Sequence, residues 1–244
     1  MNKRENAAEF RASQDDVFAR IAQRYDRLCD VFSLGIHRLW KRMMAQRISA
    51  ERASALLDLA AGTGDIPHRL LERDGRPTNM LVSDLCPQML DLARDKLGHD
   101  RRDVEFAILN AHKLVTIEDN RFDIVSISFG MKICDRAAVM SEAYRVLKPG
   151  GLFICLEAAR IPNALLHRIY LTYMDLCMPL ISHIATGGDA SAYRYLLCGI
   201  HDFPDQNTLC AEFSSHGFEQ VRYTNHSLGI VALHEGRKPS EKTE

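Results

Sequence analysis

Several signatures are missing from this 244-residue sequence, and each absence excludes a function class. The seven cysteines (29, 86, 134, 155, 177, 198 and 210) form no Cys-x-x-Cys pair and no Cys/His pair at zinc-ligand spacing. No metal site is therefore expected, and scattered cysteines in apolar surroundings read as reduced, buried thiols. Lys+Arg total 31 against 32 Asp+Glu, a net charge of −1 that gives no general case for nucleic-acid binding. The opening MNKRENAAEFRASQDD is polar, so no secretory signal is expected. The most apolar tract, LLHRIYLTYMDLCMPLI (165–181), is broken by Arg168, Asp175 and Pro179, too often for a membrane span.

What is present is an alternation. Short runs rich in Val, Ile and Leu at 55–60, 80–84, 104–109, 122–128 and 152–157 are separated by helical patterns, among them 64–73, 87–97 and 136–147. Strands buried on both faces with helices between them predict an α/β fold with a doubly wound, mostly parallel sheet. Lys148-Pro-Gly-Gly151 is expected to stop a helix just before the fifth strand. Two β-rich runs, 218–225 and 229–235, predict a terminal antiparallel hairpin, bringing the sheet to seven strands. Helical segments at 17–47 and about 162–215 fall outside the alternation. They predict an N-terminal lid segment (1–50) and a cap inserted into the main domain (51–238), with 239–244 a tail. The cap either packs as ordinary core or covers an apolar substrate.

Leu57–Pro67, LDLAAGTGDIP, shows which ligand the sheet edge suits. A dinucleotide fingerprint would place a third glycine where Pro67 stands. Proline suits a helix's first turn but not that tight packing position. A P-loop would need a Lys-Ser/Thr pair, which is absent. Gly62 and Gly64 thus bring backbone close to a ligand without pyrophosphate machinery. Asp84 ends the second strand, 20 residues beyond Gly64, where a carboxylate can accept both hydroxyls of a ribose. Asn110-Ala111 follows the third strand, and Ser126-Ile-Ser-Phe-Gly130 closes the fourth. Four signals at successive carboxyl strand ends favour S-adenosylmethionine over NAD.

LDLAAGTGD, Asp84, Asn110-Ala111, SISFG and YRVLKPGG together resemble a Rossmann-like methyltransferase. YDRLCDVFSLGIHRLWKR (25–42), SAYRYLLCGI-HDFPDQNTL (191–209) and GIVALHEGRK (229–238) are similar to the ubiquinone/menaquinone biosynthesis C-methyltransferases. The resemblance implies an enzyme with S-adenosylmethionine as cofactor and a quinol-like, apolar aromatic acceptor methylated on a ring carbon. It implies cofactor contacts at Tyr25, Gly62, Thr63, Gly64, Asp84, Asn110, Ala111 and Ser128, with Tyr25 folding over the methionine end. It also implies a cytoplasmic location, with peripheral contact at the inner membrane and a homodimer left open. In one place the chain departs from the pattern. Where the family carries Arg-Asn after SFG, this chain has Lys132-Ile133. Lys132 is the expected catalytic residue, as a cation or a neutral base at the ring hydroxyl. His37, Tyr193 and Asp189 are the alternatives for the base. His37 reads first as a packed histidine beside an apolar stripe of Ile36, Leu39, Trp40 and Met43. Because of the Lys-Ile change, two further readings stay open: methylation of another aromatic molecule, or a non-catalytic S-adenosylmethionine-binding member of a quinone-synthesis assembly.

Overall fold

The computed structural model describes residues 18–186 and 203–240, with side chains described outside 177–186. Tyr193, Asp189 and His201, and with them much of the SAYRYLLCGI-HDFPDQNTL motif, lie outside the described residues.

Seven strands form one sheet: β1 (Ala55–Leu59), β2 (Asn79–Asp84), β3 (Val104–Ile108), β4 (Phe122–Ser128), β5 (Leu147–Ala158), β6 (Glu219–His226) and β7 (Val231–Arg237). Their order is β3-β2-β1-β4-β5-β7-β6, parallel through the first five, with β7 antiparallel between β5 and β6. The expected parallel sheet and terminal hairpin are both present. Leu56, Leu57, Val82, Val125, Ile127 and Phe153 are wholly or almost wholly buried, as strands covered on both faces require.

Lys148-Pro-Gly-Gly151 differs from expectation. The preceding helix ends at Val146, and strand pairing starts at once, at Leu147. The register then jumps from Phe122↔Leu147 to Ile124↔Leu152, so the motif is a bulge within the strand pairing. A side chain at Gly151 would meet the Lys148 carbonyl at 2.8 Å, so glycine is needed there.

Helices α1 (Tyr25–Ser33) and α2 (His37–Ala50) precede the sheet. They are separated by a left-handed turn at Leu34 and Gly35 (φ 50° and 77°). Then come α3 (Asp65–Leu71), α4 (Pro87–Leu97) and α5 (Arg136–Val146), followed by α6 (Ala164–Thr186) and α7 (Gln206–Ser215). Pro67 falls in the first turn of α3, the position proline tolerates. The buried face of α2 is rotated from the expected stripe. Ile36 and Leu39 are exposed, while His37, Trp40, Lys41, Met44 and Ile48 face inward. Two polar residues can turn inward because each finds partners: Lys41 on Asp65, and His37 on Ser33.

Candidate functional site

Two adjoining hollows lie above the carboxyl ends of the strands. The first is a cleft lined by Tyr25, Gly62, Asp84, Asn110, Ala111 and Ser128, six of the eight positions assigned to the cofactor. Asp84 shapes it by accepting the Gly62 amide at 2.8 Å and the Cys86 amide at 2.9 Å. A carboxylate's roughly four acceptor directions let it serve these amides and a ribose diol together. Gly62 holds φ 57°, and a Cβ there would have only the Tyr25 ring within reach, at 4.0 Å, so its backbone faces open space. Gly130 brings the end of β4 against the glycine loop, since a Cβ would sit 2.7 Å from that of Ala60. An exposed backbone turn, a strand-end carboxylate and a small polar pair on one cleft fit an adenosine-bearing cofactor.

Thr63 and Gly64 do not line this cleft. Gly64 packs the loop on α4, where a Cβ would come 3.0 Å from that of Ala93. The buried Thr63 hydroxyl donates to Asp26 (2.7 Å) on α1. Lys96 of α4 donates to Asp26 (2.8 Å), Thr63 (2.9 Å) and Asp65 (3.0 Å), and Lys41 donates to Asp65 (2.7 Å). Burial alone would raise the Asp65 pKa, but Lys41 and Lys96 hold it well below the usual carboxylate range. Glycine loop and N-terminal helices are thus tied by one ionic network.

The second hollow is an apolar cavity of about 460 Å³, within the size range of small-molecule sites. Its walls include Phe32, Trp40, Tyr170, Tyr173 and Met174. Tyr25 and Phe129 line both hollows and form the partition between them. Trp40 is fixed by its indole N–H donating to Ser227 (2.8 Å). Helix α6 offers Tyr170, Tyr173 and Met174 to the cavity, while Leu165, Ile169 and Leu176 stay exposed.

Polar groups in this cavity are few. Lys132 lines it, with a side chain 4% exposed and the Nζ 3.0 Å from Glu157 Oε1. Glu157 is fully buried and also accepts the Lys132 amide (3.2 Å) and its neighbour Ala158's amide (2.8 Å). The Lys132 Nζ donates in addition to the Phe129 carbonyl. The amine is thus held between a carboxylate and a backbone carbonyl at the cavity wall. Ile133, the other departure, lines the cofactor cleft. Sequence reasoning missed Glu157, although a lone carboxylate in the apolar run FICLEA of a central strand was a usable signal. His37 is buried, as a packed histidine would be, and it also stands on the cavity wall. Burial, and then Lys41, push its pKa down to about 4. The described thiols Cys29, Cys86, Cys134, Cys155 and Cys210 are free, but only Cys86 and Cys155 are fully buried, the others being half-buried; burial raises Cys134 to about 12.

A parallel sheet with an inserted antiparallel last strand, and a glycine loop facing a strand-end aspartate, define a Rossmann-like S-adenosylmethionine-dependent methyltransferase. A methyltransferase of that dependence from Thermotoga maritima superposes with a TM-score of 0.64 over 91% of this chain and 98% of its own, at 17% identity. A phosphoethanolamine N-methyltransferase from Haemonchus contortus, solved with S-adenosylhomocysteine, gives 0.55 over 77% of this chain and 49% of its own, at 15% identity. At such identities the likeness concerns the fold. The chain belongs to the ubiE/COQ5 methyltransferase family, whose profile matches residues 5–238. The ubiquinone/menaquinone biosynthesis C-methyltransferase UbiE of Azotobacter vinelandii is 40% identical over 228 residues, covering 92% of this chain and 89% of the relative. The enzyme of the same name from Brucella abortus is 39% identical over 231 residues, covering 92% and 84%.

Proposed function

We propose that this enzyme methylates a ring carbon of a demethylated, polyprenylated quinol. The observation that carries the reading is the apolar cavity sharing Tyr25 and Phe129 with the cofactor cleft, its wall interrupted by the Lys132 side chain paired with Glu157. S-adenosylmethionine supplies a sulfonium-activated methyl group. Asp84 and the Gly62 turn hold the nucleoside, while Asn110, Ala111 and Ser128 border the base and methionine. Tyr25 and Phe129 keep water from the junction. A phenol is a poor carbon nucleophile until its oxygen gives up the proton and pushes density into the ring. Lys132 stabilises that developing oxyanion, in an environment where a fixed charge acts strongly. Glu157 holds the lysine in place.

The Lys132-Ile133 change supports a second reading, an aromatic acceptor other than a respiratory quinol. Ile133 lies on the cofactor side, so only Lys132 alters the acceptor wall, and the quinol reading is preferred. Incubation with labelled S-adenosylmethionine and a panel of benzoquinols, naphthoquinols and tail-less phenols, with mass spectrometry of the product, decides between them. A carbon-methylated prenyl quinol is the expected product. Selective methylation of a tail-less phenol favours the second reading, and S-adenosylmethionine binding without turnover favours a non-catalytic role.

Among the described residues no helix is long and apolar enough to cross a membrane. The mouth of the cavity instead suits a membrane surface. Leu34 and Ile36 line the cavity and are exposed, and Leu165, Ile169 and Leu176 are exposed on α6, the helix packed on α1. Arg27, Arg42 and Arg168 are exposed on the same helices. Apolar side chains with arginines fit peripheral docking on anionic lipid, from which a prenyl quinol can enter. Co-sedimentation with anionic vesicles tests this, and size-exclusion chromatography tests for the homodimer that would cover these side chains instead.

A further inference from the structure

The ring hydroxyl's proton needs an acceptor, and the Lys132 Nζ is already engaged as a donor to Glu157 and to the Phe129 carbonyl. The cavity wall offers another group. His37 Nδ1 lies 2.7 Å from Ser33 Oγ, and the His37 amide points at the same oxygen (3.3 Å). Ser33 Oγ donates its one proton to the Cys29 carbonyl at 2.7 Å. With that proton committed, the hydroxyl can only accept from the imidazole, so the ring hydrogen sits on Nδ1. Asp30 Oδ1, 3.9 Å from Nδ1, favours a hydrogen there as well. Nε2 is then a bare lone pair. Among the described residues it has no hydrogen-bond partner, and it is not one of the sealed polar atoms, on a residue that lines the cavity. Resting on the quinol C-methylation reading, we infer that His37 is the general base of the reaction, oriented through Nδ1 by Ser33 and taking the ring-hydroxyl proton on Nε2.

The proton passes from the hydroxyl to Nε2, and the oxygen's electron pair moves through the ring to the carbon that bonds the methyl. The methyl–sulfur bond leaves its pair on sulfur, neutralising the sulfonium. The ring then loses its own hydrogen as a proton while the oxygen regains one, so a single proton is released overall, from His37 to solvent. Lys132 and His37 divide the work: a fixed positive charge for the oxygen, and a lone pair for its proton. Burial and Lys41 keep the imidazole neutral at working pH. The other charged groups acting on it are Asp30 on α1, Arg38 on α2 and Asp65 on α3. Tyr25, Cys29, Lys132, Tyr170 and Tyr173 line the same cavity.

Two measurements test the assignment. Nitrogen-15 NMR of histidine-labelled full-length protein should show His37 with a hydrogen on Nδ1 and a bare Nε2 at pH 7. The opposite tautomer overturns the proposal, whatever the activity. In turnover of a 2-prenyl-1,4-naphthoquinol, His37→Gln should lower kcat roughly 10²–10³-fold with unchanged S-adenosylhomocysteine affinity. The deficit should shrink as pH rises, and with a fluorinated quinol whose hydroxyl ionises more easily, because ionisation in solution replaces the base. Ser33→Ala should lower kcat by a smaller factor in the same pH-dependent way. A His37→Gln deficit that stays constant with pH and acceptor acidity marks a structural role and overturns the proposal, as does full activity. Absence of product from the unmodified enzyme with every acceptor indicts the quinol reading instead, and the NMR result separates the two failures.

Discussion

The two hollows above the sheet are built on different physics. The cofactor cleft is made by backbone: a glycine turn, amides held by Asp84, and short residues at strand ends. Such a site recognises a fixed polar molecule and tolerates little change. The acceptor cavity is made by side chains brought from α1, α2, α6 and β7, apolar except for a few placed groups. On the proposed reading, it would select by volume and apolarity.

The largest expected effect sharpens that contrast at Lys132. Lys132→Ala should lower kcat roughly 10²–10³-fold, the scale for loss of an oxyanion donor, and leave S-adenosylhomocysteine affinity unchanged. Because Glu157 would be left buried without its cation, Lys132→Ala/Glu157→Gln should be made alongside, and should recover stability but not rate. Lys132→Arg should recover much of the rate. An active, stable alanine variant breaks the division of labour.

Next in size is acid sensitivity. His37 and His234 both have folded pKa values near 4, set by burial, against an unfolded value of about 6.5. Unfolding therefore takes up protons between those values, so their contribution is complete above about pH 6.5 and is lost as pH falls toward 4. Asp58, raised to about 7 by burial, works in the opposite direction over the same interval. Two histidines against one aspartate leave a net loss on the order of a few kcal/mol, readable by urea titration at pH 7 and pH 4.5. Equal stability at both contradicts it.

On the cleft side, Asp84→Ala should weaken S-adenosylhomocysteine binding by about 1.5–3 kcal/mol for each charge-assisted bond lost, measured by calorimetry. Acceptor selectivity by tail length should not move, and if it does the hollows are not separable. The smallest effect comes from the cavity: each tail methylene buried should add up to about 0.8 kcal/mol of affinity, visible across a homologous series. A flat series breaks the reading of the cavity as a tail site.

The sequence made the two halves unequally legible. Six of the positions assigned to the cofactor line one cleft, and they were readable because the glycine loop, Asp84, Asn110 and Ser128 each lie at the end of a strand recognisable by its own apolar run. Locality is what made them visible. Thr63 shows the limit, for its partners Asp26 and Lys96 come from helices that no spacing connects to the loop. The cavity escaped more completely. On α2 the apolar letter Leu39 points outward, while His37 and Lys41 turn in, because each has a distant or fixed partner that pattern alone does not reveal. Glu157 needed Lys132, 25 residues away.

The network joining Thr63 to Asp26, Lys96 and Asp65 has a consequence for genetics. The three residues Gly62–Gly64 answer at once to β2 through Asp84, to α1 through Thr63 and to α4 through Gly64. A lesion in any of these distant segments reaches the same backbone atoms. Loss-of-function alleles at these contacts in α1, β2 and α4 would thus share one expected phenotype, poor cofactor retention. Alleles in α6 would leave retention intact and change which acceptors the cell can use, so the map of phenotypes along the gene would be split by hollow rather than by distance.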